Sequence, residues 1–201
     1  MMTTSDYDFW EDRYQTGGDR WDLGQPAPPF VDWLNSDYAP APGRAIVLGC
    51  GRGYDALLFA QHGFEVVGID FAPAAIAAAT ASAGAKGLNA KFLQRDIFDL
   101  VPEFSRQFDY VVEHTCFCAI DPTLRPAYVA LVSQLLKPSG ALLGIFFTHT
   151  RPGGPPYGST PQDIEQLFRD RFEIQTLVPV ACSIPARQGE EHVGHFPLIV
   201  P

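Results

Sequence analysis

Long apolar runs and basic clusters are both missing from this sequence. No apolar stretch approaches the ~18 residues that a membrane-spanning helix requires, and residues 1–15 have neither the basic region nor the apolar region of a signal peptide. The chain holds 14 lysine and arginine residues against 23 aspartate and glutamate residues, a formal net charge of -9. An acidic surface repels nucleic acid and anionic lipid. We therefore predict a cytoplasmic protein with neither a nucleic-acid partner nor a membrane partner.

Cysteine is scarce as well, with four residues in the whole chain: Cys50, Cys116, Cys118 and Cys182. They are too few and too scattered for a disulfide scaffold, and the pair Cys116 and Cys118 lacks the second pair that a structural zinc site needs. We predict reduced thiols and no metal site. Because free cysteine commonly packs as a small buried hydrophobe, we give the pair no catalytic role.

What the chain does contain is a globular composition with alternating strands and helices. Hydrophobic residues make up 46% of its 201 residues and charged residues 18%, which suits one domain with one core. The predicted strands cover 44–49, 64–70, 90–94, 108–112, 141–147, 172–178 and 193–200, and the predicted helices cover 30–38, 54–63, 73–83, 128–136 and 161–168. This alternation predicts a doubly wound α/β fold, mostly parallel, with helices on both faces. The last two strands are expected to form an antiparallel hairpin that closes the sheet edge.

Glycines separate the first predicted strand from the helix that follows it. Gly49, Gly51 and Gly53 allow a tight turn and a close approach of a ligand to bare backbone beside a helix N-terminus. In the nicotinamide dinucleotide fingerprint the third glycine stands where this chain has Tyr54, so an oxidoreductase is disfavoured. The spacing resembles the cofactor loop of Rossmann-like methyltransferases, although structural turns also use such glycines.

Acidic residues follow the next two strands. Asp70, with Phe71 beside it, ends the second strand and is placed to accept from both ribose hydroxyls of a nucleoside. Asp96 and Ile97 follow the third strand and resemble the pair that binds and packs against an adenine. Alternatively, Asp70 is only an aspartate near a helix N-terminus, and Asp96 is only an acid in a solvated turn. Ligands of such sheets bind at the carboxyl ends of the strands, so the three elements together predict binding of S-adenosylmethionine or a close analogue.

The rest of the chain resembles the thiopurine S-methyltransferase family, closest to its halide/thiol branch. The likeness covers residues 7–195 and lies in the segments FDYVVEHTCFCAI (108–120), DPTLRPAY (121–128), LKPSG (136–140), GGPPY (153–157), WDLG (21–24) and the region of Trp10. It implies a class I Rossmann-like methyltransferase domain over 43–201, with an N-terminal lid over 1–42 as part of one structural domain. It also implies S-adenosylmethionine as cofactor, S-adenosylhomocysteine as product, and a small thiol, sulfide, halide or thiocyanate as acceptor.

The resemblance also suggests roles at the reaction centre. We predict Glu113 and His114 as catalytic residues, with Glu113 also near the cofactor and His114 accepting the thiol proton directly or through water. Alternatively, His114 only forms hydrogen bonds with the nearby backbone. Plant halide/thiol enzymes carry Asp-Tyr at this pair, a departure that leaves thiols at least as well supported as halides. Trp10 and Trp21 are predicted to cover the cofactor, and Phe9 to line the substrate side, unless these aromatic residues only anchor the N-terminal arm.

Two further residues are predicted on the substrate side. Arg125 resembles an arginine of the thiopurine enzymes that faces the substrate, but it could instead cap a helix or pair with Asp121. Tyr157 stands on the GGPPY loop as a pocket wall, with ordinary loop packing as its alternative. The competing functions are methyl transfer to oxygen or nitrogen of a small metabolite, and cofactor binding without catalysis. We expect a monomer or a weak homodimer with a small-molecule substrate.

Overall fold

A single mixed sheet organises the computed structural model of the chain, which describes residues 7–200. The strands of the described residues are β1 Arg44–Leu48, β2 Glu65–Asp70, β3 Ala90–Gln94, β4 Phe108–His114, β5 Leu136–Phe147, β6 Thr176–Pro179 and β7 Glu191–Pro197. The helices are α1 Tyr7–Thr16, α2 Pro28–Leu34, α3 Tyr54–Gln61, α4 Pro73–Lys86, α5 Val101–Phe104, α6 Arg125–Leu135 and α7 Pro161–Phe168. None of these helices is long and apolar enough to cross a bilayer.

The sheet follows the order β3-β2-β1-β4-β5-β7-β6. Strands β1 to β5 pair in parallel, and β7 runs antiparallel between β5 and β6. The predicted fold class is confirmed, with β6 in the outermost position and β7 beside it. Because Leu48 pairs with Ile69 of β2 and with Glu113 of β4, the three strands end at one edge of the sheet. The residues that follow them therefore meet there.

Hydrophobic clusters cover both faces of the sheet, as a central parallel sheet requires. Along β1, Ile46 and Leu48 belong to one cluster, which includes buried residues of α6 and α7. Ala45 and Val47 belong to the other, which includes buried residues of α2 and α3. This alternation follows from the two-residue period of a strand. The same alternation determines the face of the sheet toward which the side chain at the end of each strand points.

The boundaries differ from the sequence predictions in a few places. Helix α1 was not predicted. Helix α6 begins at Arg125, three residues before the predicted start, because Pro126 suits the first helical turn. Strand β6 begins at Thr176, since Phe172 forms only an isolated bridge with Leu198.

Candidate active site

The glycine loop after β1 has the backbone that its sequence predicts. Gly49, Gly51 and Gly53 adopt φ values of 60, 52 and 82°, the left-handed region that glycine occupies without steric cost. A Cβ on Gly53 would lie 2.9 Å from the Ala79 Cβ, and a Cβ on Gly51 would lie 3.0 Å from the Tyr14 hydroxyl oxygen. The loop is therefore packed closely between α4 and the N-terminal arm, with no room for side chains of its own at these positions. Such a cradle fits the polar portion of a nucleoside cofactor.

Asp70 ties the end of β2 to this loop. Its Oδ2 accepts from the Gly51 N–H at 2.8 Å and its Oδ1 accepts from the Ala72 N–H at 3.0 Å. Burial raises the pKa of the carboxyl, and the backbone N–H groups of Ala72, Gly51 and Phe71 partly offset this effect. The two oxygens offer about four acceptor sites in all, so the three N–H groups leave room for a further donor. The predicted role toward ribose hydroxyls is therefore compatible with the role in shaping the loop.

Asp96 and Ile97 lie at the carboxyl end of β3, next to Asp70 in the sheet. Asp96 Oδ1 accepts from the Phe98 N–H at 2.8 Å and caps a short 3-10 helix. Ile97 is buried in the hydrophobic cluster, so it offers at most a small apolar surface to an adenine. Phe71 is partly buried directly after β2. The three predicted cofactor elements therefore share one edge of the sheet.

The N-terminal arm carries a row of aromatic residues to the same edge. Trp10 packs edge-on against Trp21 with ring centroids 5.2 Å apart, and Phe9 packs against Trp10 at 5.1 Å. The Trp21 indole N–H donates to the Tyr14 hydroxyl at 3.2 Å. These contacts bring together all three aromatic residues that the sequence placed in the lid.

A residue of the glycine loop itself fastens this arm. Arg52 donates to Asp19 at 2.6 Å and to Asp22 at 2.7 Å, on either side of Trp21. The cleft left between arm and loop measures about 50 Å³. Its lining comprises Tyr14, Trp21, Asp22, Leu23, Gln25, Val47, Gly49, Cys50, Gly51, Arg52, Tyr54, Asp55, His114 and Thr115.

His114, the last residue of β4, borders the cleft but is not a free base. Its Nδ1 lies 2.7 Å from Asp55 Oδ2, and its Nε2 lies 3.0 Å from Arg187 Nη1 and 3.8 Å from Glu191 Oε1. Burial alone lowers the pKa of the ring, but the charge and the hydrogen bond of Asp55, together with Glu191, raise it to about 9. The Arg187 contact by itself suits a neutral ring that accepts at Nε2. The two carboxylates outweigh it, and the imidazolium is the form expected at neutral pH.

The predicted role of His114 as proton acceptor stays a prediction, and the geometry does not favour it. With Nδ1 bonded to Asp55 and Nε2 facing Arg187, neither nitrogen is available to a thiol proton, whichever form the ring takes. The ring instead links α3, β4 and the segment before β7.

Replacing Asp55 by Asn is expected to lower the pKa of His114 from about 9, because burial and Arg187, which both lower it, then face a single carboxylate, Glu191. The measurement is an NMR titration of the ring Cε1–H in the parent protein and in D55N. Glu65→Gln is a matched control, since Glu65 pairs with Arg44 at the opposite end of the sheet. An unchanged His114 titration in D55N would contradict this assignment of the charge balance.

Glu113 points away from the cleft, because neighbouring residues of a strand face opposite sides of the sheet. Its carboxyl is 1% exposed, and it accepts from the Tyr128 hydroxyl at 2.5 Å and from the Phe117 N–H at 2.8 Å. Burial raises its pKa to about 7, against the lowering effect of these two donors. Both oxygens hold the packing of α6 and of the turn after β4. The geometry therefore favours a structural role for Glu113, and its predicted catalytic and cofactor roles stay predictions.

Arg125 and Tyr157 come together, but through the loop backbone. Arg125 donates from Nη1 to the Gly158 carbonyl at 3.0 Å and from Nη2 to the Tyr157 carbonyl at 3.1 Å. The buried guanidinium lies 4.5 Å from the Phe117 ring centroid. Arg125 therefore fixes the GGPPY loop, and its predicted place on the substrate side stays a prediction. Asp121, its predicted ionic partner, accepts from Thr123 instead.

Sequence analysis missed Asp55, Arg187 and Glu191. Asp55 Oδ1 accepts from the Ala27 N–H at 2.7 Å, while Arg187 Nη2 donates to the Trp21 carbonyl at 3.0 Å. Asp55 carried a readable signal, as an acid in the first turn of the helix that follows the glycine loop. Arg187 and Glu191 form an ion pair four residues apart, but the site partners of Arg187, His114 and Trp21, lie 73 and 166 residues away in the chain and left no readable signal.

Comparisons with known proteins show the family to which the chain belongs. The family model for thiopurine S-methyltransferase (TPMT) matches residues 5–195. Probable thiol methyltransferase 2 of Arabidopsis thaliana is 33% identical over 98% of this chain and 87% of its own length. Thiocyanate methyltransferase 1 of Brassica oleracea is 34% identical over 93% of this chain and 83% of its own length.

A solved structure supports the fold. Burkholderia thailandensis 1,6-didemethyltoxoflavin-N1-methyltransferase, with bound S-adenosylhomocysteine, superposes with a TM-score of 0.78 at 20% identity, over 96% of this chain and 87% of that chain. At this identity the likeness concerns the fold alone. The predicted family, enzyme class and cofactor are confirmed: this chain belongs to the thiopurine S-methyltransferase family of S-adenosylmethionine-dependent methyltransferases.

Proposed function

We propose that this enzyme transfers the methyl group of S-adenosylmethionine to a small thiol or sulfide by direct in-line displacement. Halides and thiocyanate are further acceptors in this proposal, supported by the relative named as a thiocyanate methyltransferase. We further propose that it acts in the cytoplasm on a small-molecule substrate, as a monomer or weak homodimer, with residues 7–42 as a lid on the domain of residues 43–200. Residues 1–6 and 201, which the sequence prediction also included, lie outside the described residues.

The proposed acceptor class rests on one observation: the acidic side chains and the imidazole around the cleft already have hydrogen-bond or ionic partners. Within residues 7–200, Asp22 is paired with Arg52, Asp55 with His114 and the Ala27 N–H, and His114 at both ring nitrogens. An alcohol or an ammonium group needs a base to become nucleophilic. A thiol, with an ordinary pKa of about 8.5, supplies a useful fraction of thiolate by itself, and a halide needs no base at all.

The protein's part in such a transfer is alignment and exclusion of water. When bound, S-adenosylmethionine supplies the methyl group on a sulfonium with a good leaving group. Gly49, Gly51 and Gly53 offer backbone to it, and Asp70 accepts from its ribose. Trp21 closes over the loop, where an aromatic face favours the sulfonium cation.

The test is release of S-adenosylhomocysteine across hydrosulfide, thiophenol, a thiopurine, thiocyanate and iodide, with phenol and catecholate as oxygen controls. We expect turnover of the sulfur nucleophiles and silence of the oxygen controls. Because Asp22, Asp55 and His114 around the cleft all have partners within residues 7–200, kcat/KM for each thiol should rise with pH until the pKa of that thiol, while the rate with thiocyanate or iodide stays level. Turnover of the oxygen compounds alone would instead support the O- or N-methyltransferase alternative.

A further inference from the structure

The N-terminal arm reaches the cofactor cleft with a short turn, residues 19–22, which carries Trp21 and is called the lid turn below. The Asp22 N–H donates to the Asp19 carbonyl at 2.9 Å, which closes the turn. The carboxylates at its two ends share one partner, since Arg52 donates from Nη2 to Asp19 Oδ2 at 2.6 Å and from Nε to Asp22 Oδ2 at 2.7 Å. Because Arg52 belongs to the glycine loop, the lid turn is bonded to the cofactor site itself.

The two ion pairs are only partly shielded from water. The side chains of Asp19 and Asp22 are 13% and 14% exposed, and that of Arg52 is 30% exposed. The guanidinium also lies 5.2 Å from the Tyr14 ring centroid, at the edge of the cleft. Ion pairs that remain in contact with solvent stabilise a conformation only modestly. They can therefore keep the lid turn closed for most of the time and still allow it to open.

The closed lid turn leaves little room beside the glycine loop. The cleft between them measures about 50 Å³, whereas pockets for small organic ligands hold roughly 300–1,000 Å³. A ligand that passes between the arm and the loop therefore requires the lid turn to move.

The backbone around the lid turn is suited to such a movement. Gly17 and Gly24 flank it with φ values of 73 and 66°, and small residues of this kind often act as hinges of lids. Beyond them the arm is tethered on both sides, because Glu11 accepts from a backbone N–H of α4 at 3.1 Å and Asp55 accepts from the backbone N–H before α2 at 2.7 Å. The lid turn can therefore open while the arm stays attached.

We propose that Arg52 is a positioning residue whose ion pairs with Asp19 and Asp22 form a latch on the lid turn, and that this latch opens each time the cofactor enters or its product leaves. The Trp21 carbonyl keeps a second bond, from Arg187 Nη2 at 3.0 Å, so loss of the latch loosens the turn without detaching it. A latch slows association and dissociation together, whereas a residue that only touches a ligand acts mainly on dissociation. The inference does not depend on which acceptor the enzyme methylates.

The first test replaces Asp19, since Asp22 also lines the cleft and accepts from the Gly24 N–H at 2.7 Å. In Asp19→Asn the association and dissociation rate constants of S-adenosylhomocysteine should both rise about threefold, the scale of one partly exposed ion pair, with Kd within about twofold of the parent value. Stopped-flow tryptophan fluorescence gives the association rate, and a chase of labelled ligand gives the dissociation rate. Asp12→Asn, at an exposed position of α1, makes the same change in net charge and should leave both rates unchanged.

Arg52→Gln removes both ion pairs and should raise both rate constants about tenfold. Adding Asp19→Asn to it should change nothing further, because the partner of Asp19 is then absent. In the ligand-free protein, hydrogen exchange of the Trp21 indole N–H, which donates to the Tyr14 hydroxyl, should become faster in both single variants and stay unchanged in Asp12→Asn.

Salt tests the latch in the parent protein without any substitution. Raising the ionic strength from about 0.1 M to about 1 M shortens the screening length from about 10 Å to about 3 Å. Both rate constants of the parent should therefore rise with salt, while those of Arg52→Gln stay level. S-adenosylhomocysteine suits this comparison because it lacks the sulfonium charge. A rise of the dissociation rate alone in the variants would make Arg52 an ordinary ligand contact, and unchanged rates would mean that the ion pairs do not limit exchange. Either result would overturn the proposal.

Discussion

Asp70→Ala is expected to weaken S-adenosylmethionine binding by at least about 100-fold. The substitution removes the acceptor of the Gly51 N–H and the Ala72 N–H, so the glycine loop loses the contact that fixes its backbone. It also removes the carboxylate proposed to accept from the ribose, and hydrogen bonds to a charged group contribute about 1.5–3 kcal/mol each. Two of them correspond to a factor of about 100 or more. Calorimetric titration with S-adenosylmethionine and S-adenosylhomocysteine measures the effect.

Asp109→Ala is the matched control for this variant. Asp109 also bonds a backbone N–H of another strand, that of Arg44 at 2.8 Å, and pairs with Lys137. It lies near the amino end of β4, at the opposite edge of the sheet from the glycine loop. Asp109→Ala should lower the melting temperature without changing cofactor affinity. Binding within threefold of the parent in Asp70→Ala, at an unchanged melting temperature, would show that Asp70 does not hold the ribose.

The contrast between Asp70 and Arg187 shows which parts of the site the sequence could predict. The glycine spacing and the acids at strand ends are local patterns, and the parallel order of the strands brings them to one edge. Arg187 reaches the Trp21 carbonyl only through the tertiary fold, because 166 residues separate them. Helix α1 was missed for a similar reason. It has a single buried residue, Tyr14, and its position depends on contacts such as that between Glu11 and the Ala74 N–H.

The pair Glu113 and His114 is a different case, since the sequence already contained the information that places the two side chains on opposite faces of the sheet. Adjacent residues of a strand point to opposite faces of the sheet. If β4 continues through His114, only one of Glu113 and His114 can therefore border the cleft. Strand β4 does continue to His114, two residues beyond its predicted end. Glu113 consequently faces Tyr128 of α6, and His114 faces Asp55 of α3.

Replacing Glu113 should show whether the residue is needed for the stability of the fold or for methyl transfer. Glu113→Ala leaves the Tyr128 hydroxyl and the Phe117 N–H without their acceptor in a fully buried place. Each unpaired buried group costs about 1–3 kcal/mol, so we expect the free energy of unfolding to fall by about 3 kcal/mol. Glu113→Gln keeps an oxygen for the Phe117 N–H and an amide N–H for the Tyr128 oxygen, and should transfer methyl groups within about twofold of the parent rate, at the scale of a surface substitution. A stable Glu113→Gln protein without activity would reinstate Glu113 as a catalytic group.

The pH dependence of stability provides the second arm of this experiment. Burial raises the pKa of Glu113 from 4.5 to about 7 in the folded state, so the native protein holds a proton that the unfolded chain releases between these values. The stability contributed by this carboxyl is therefore full below pH 4.5 and is lost as pH rises through 7. At about 1.4 kcal/mol per pKa unit, the loss amounts to about 3 kcal/mol. Urea unfolding of the parent and of Glu113→Gln from pH 4.5 to 8 should show the variant gaining relative stability across this window. A constant difference between the two would mean that Glu113 is ionised in the native protein throughout.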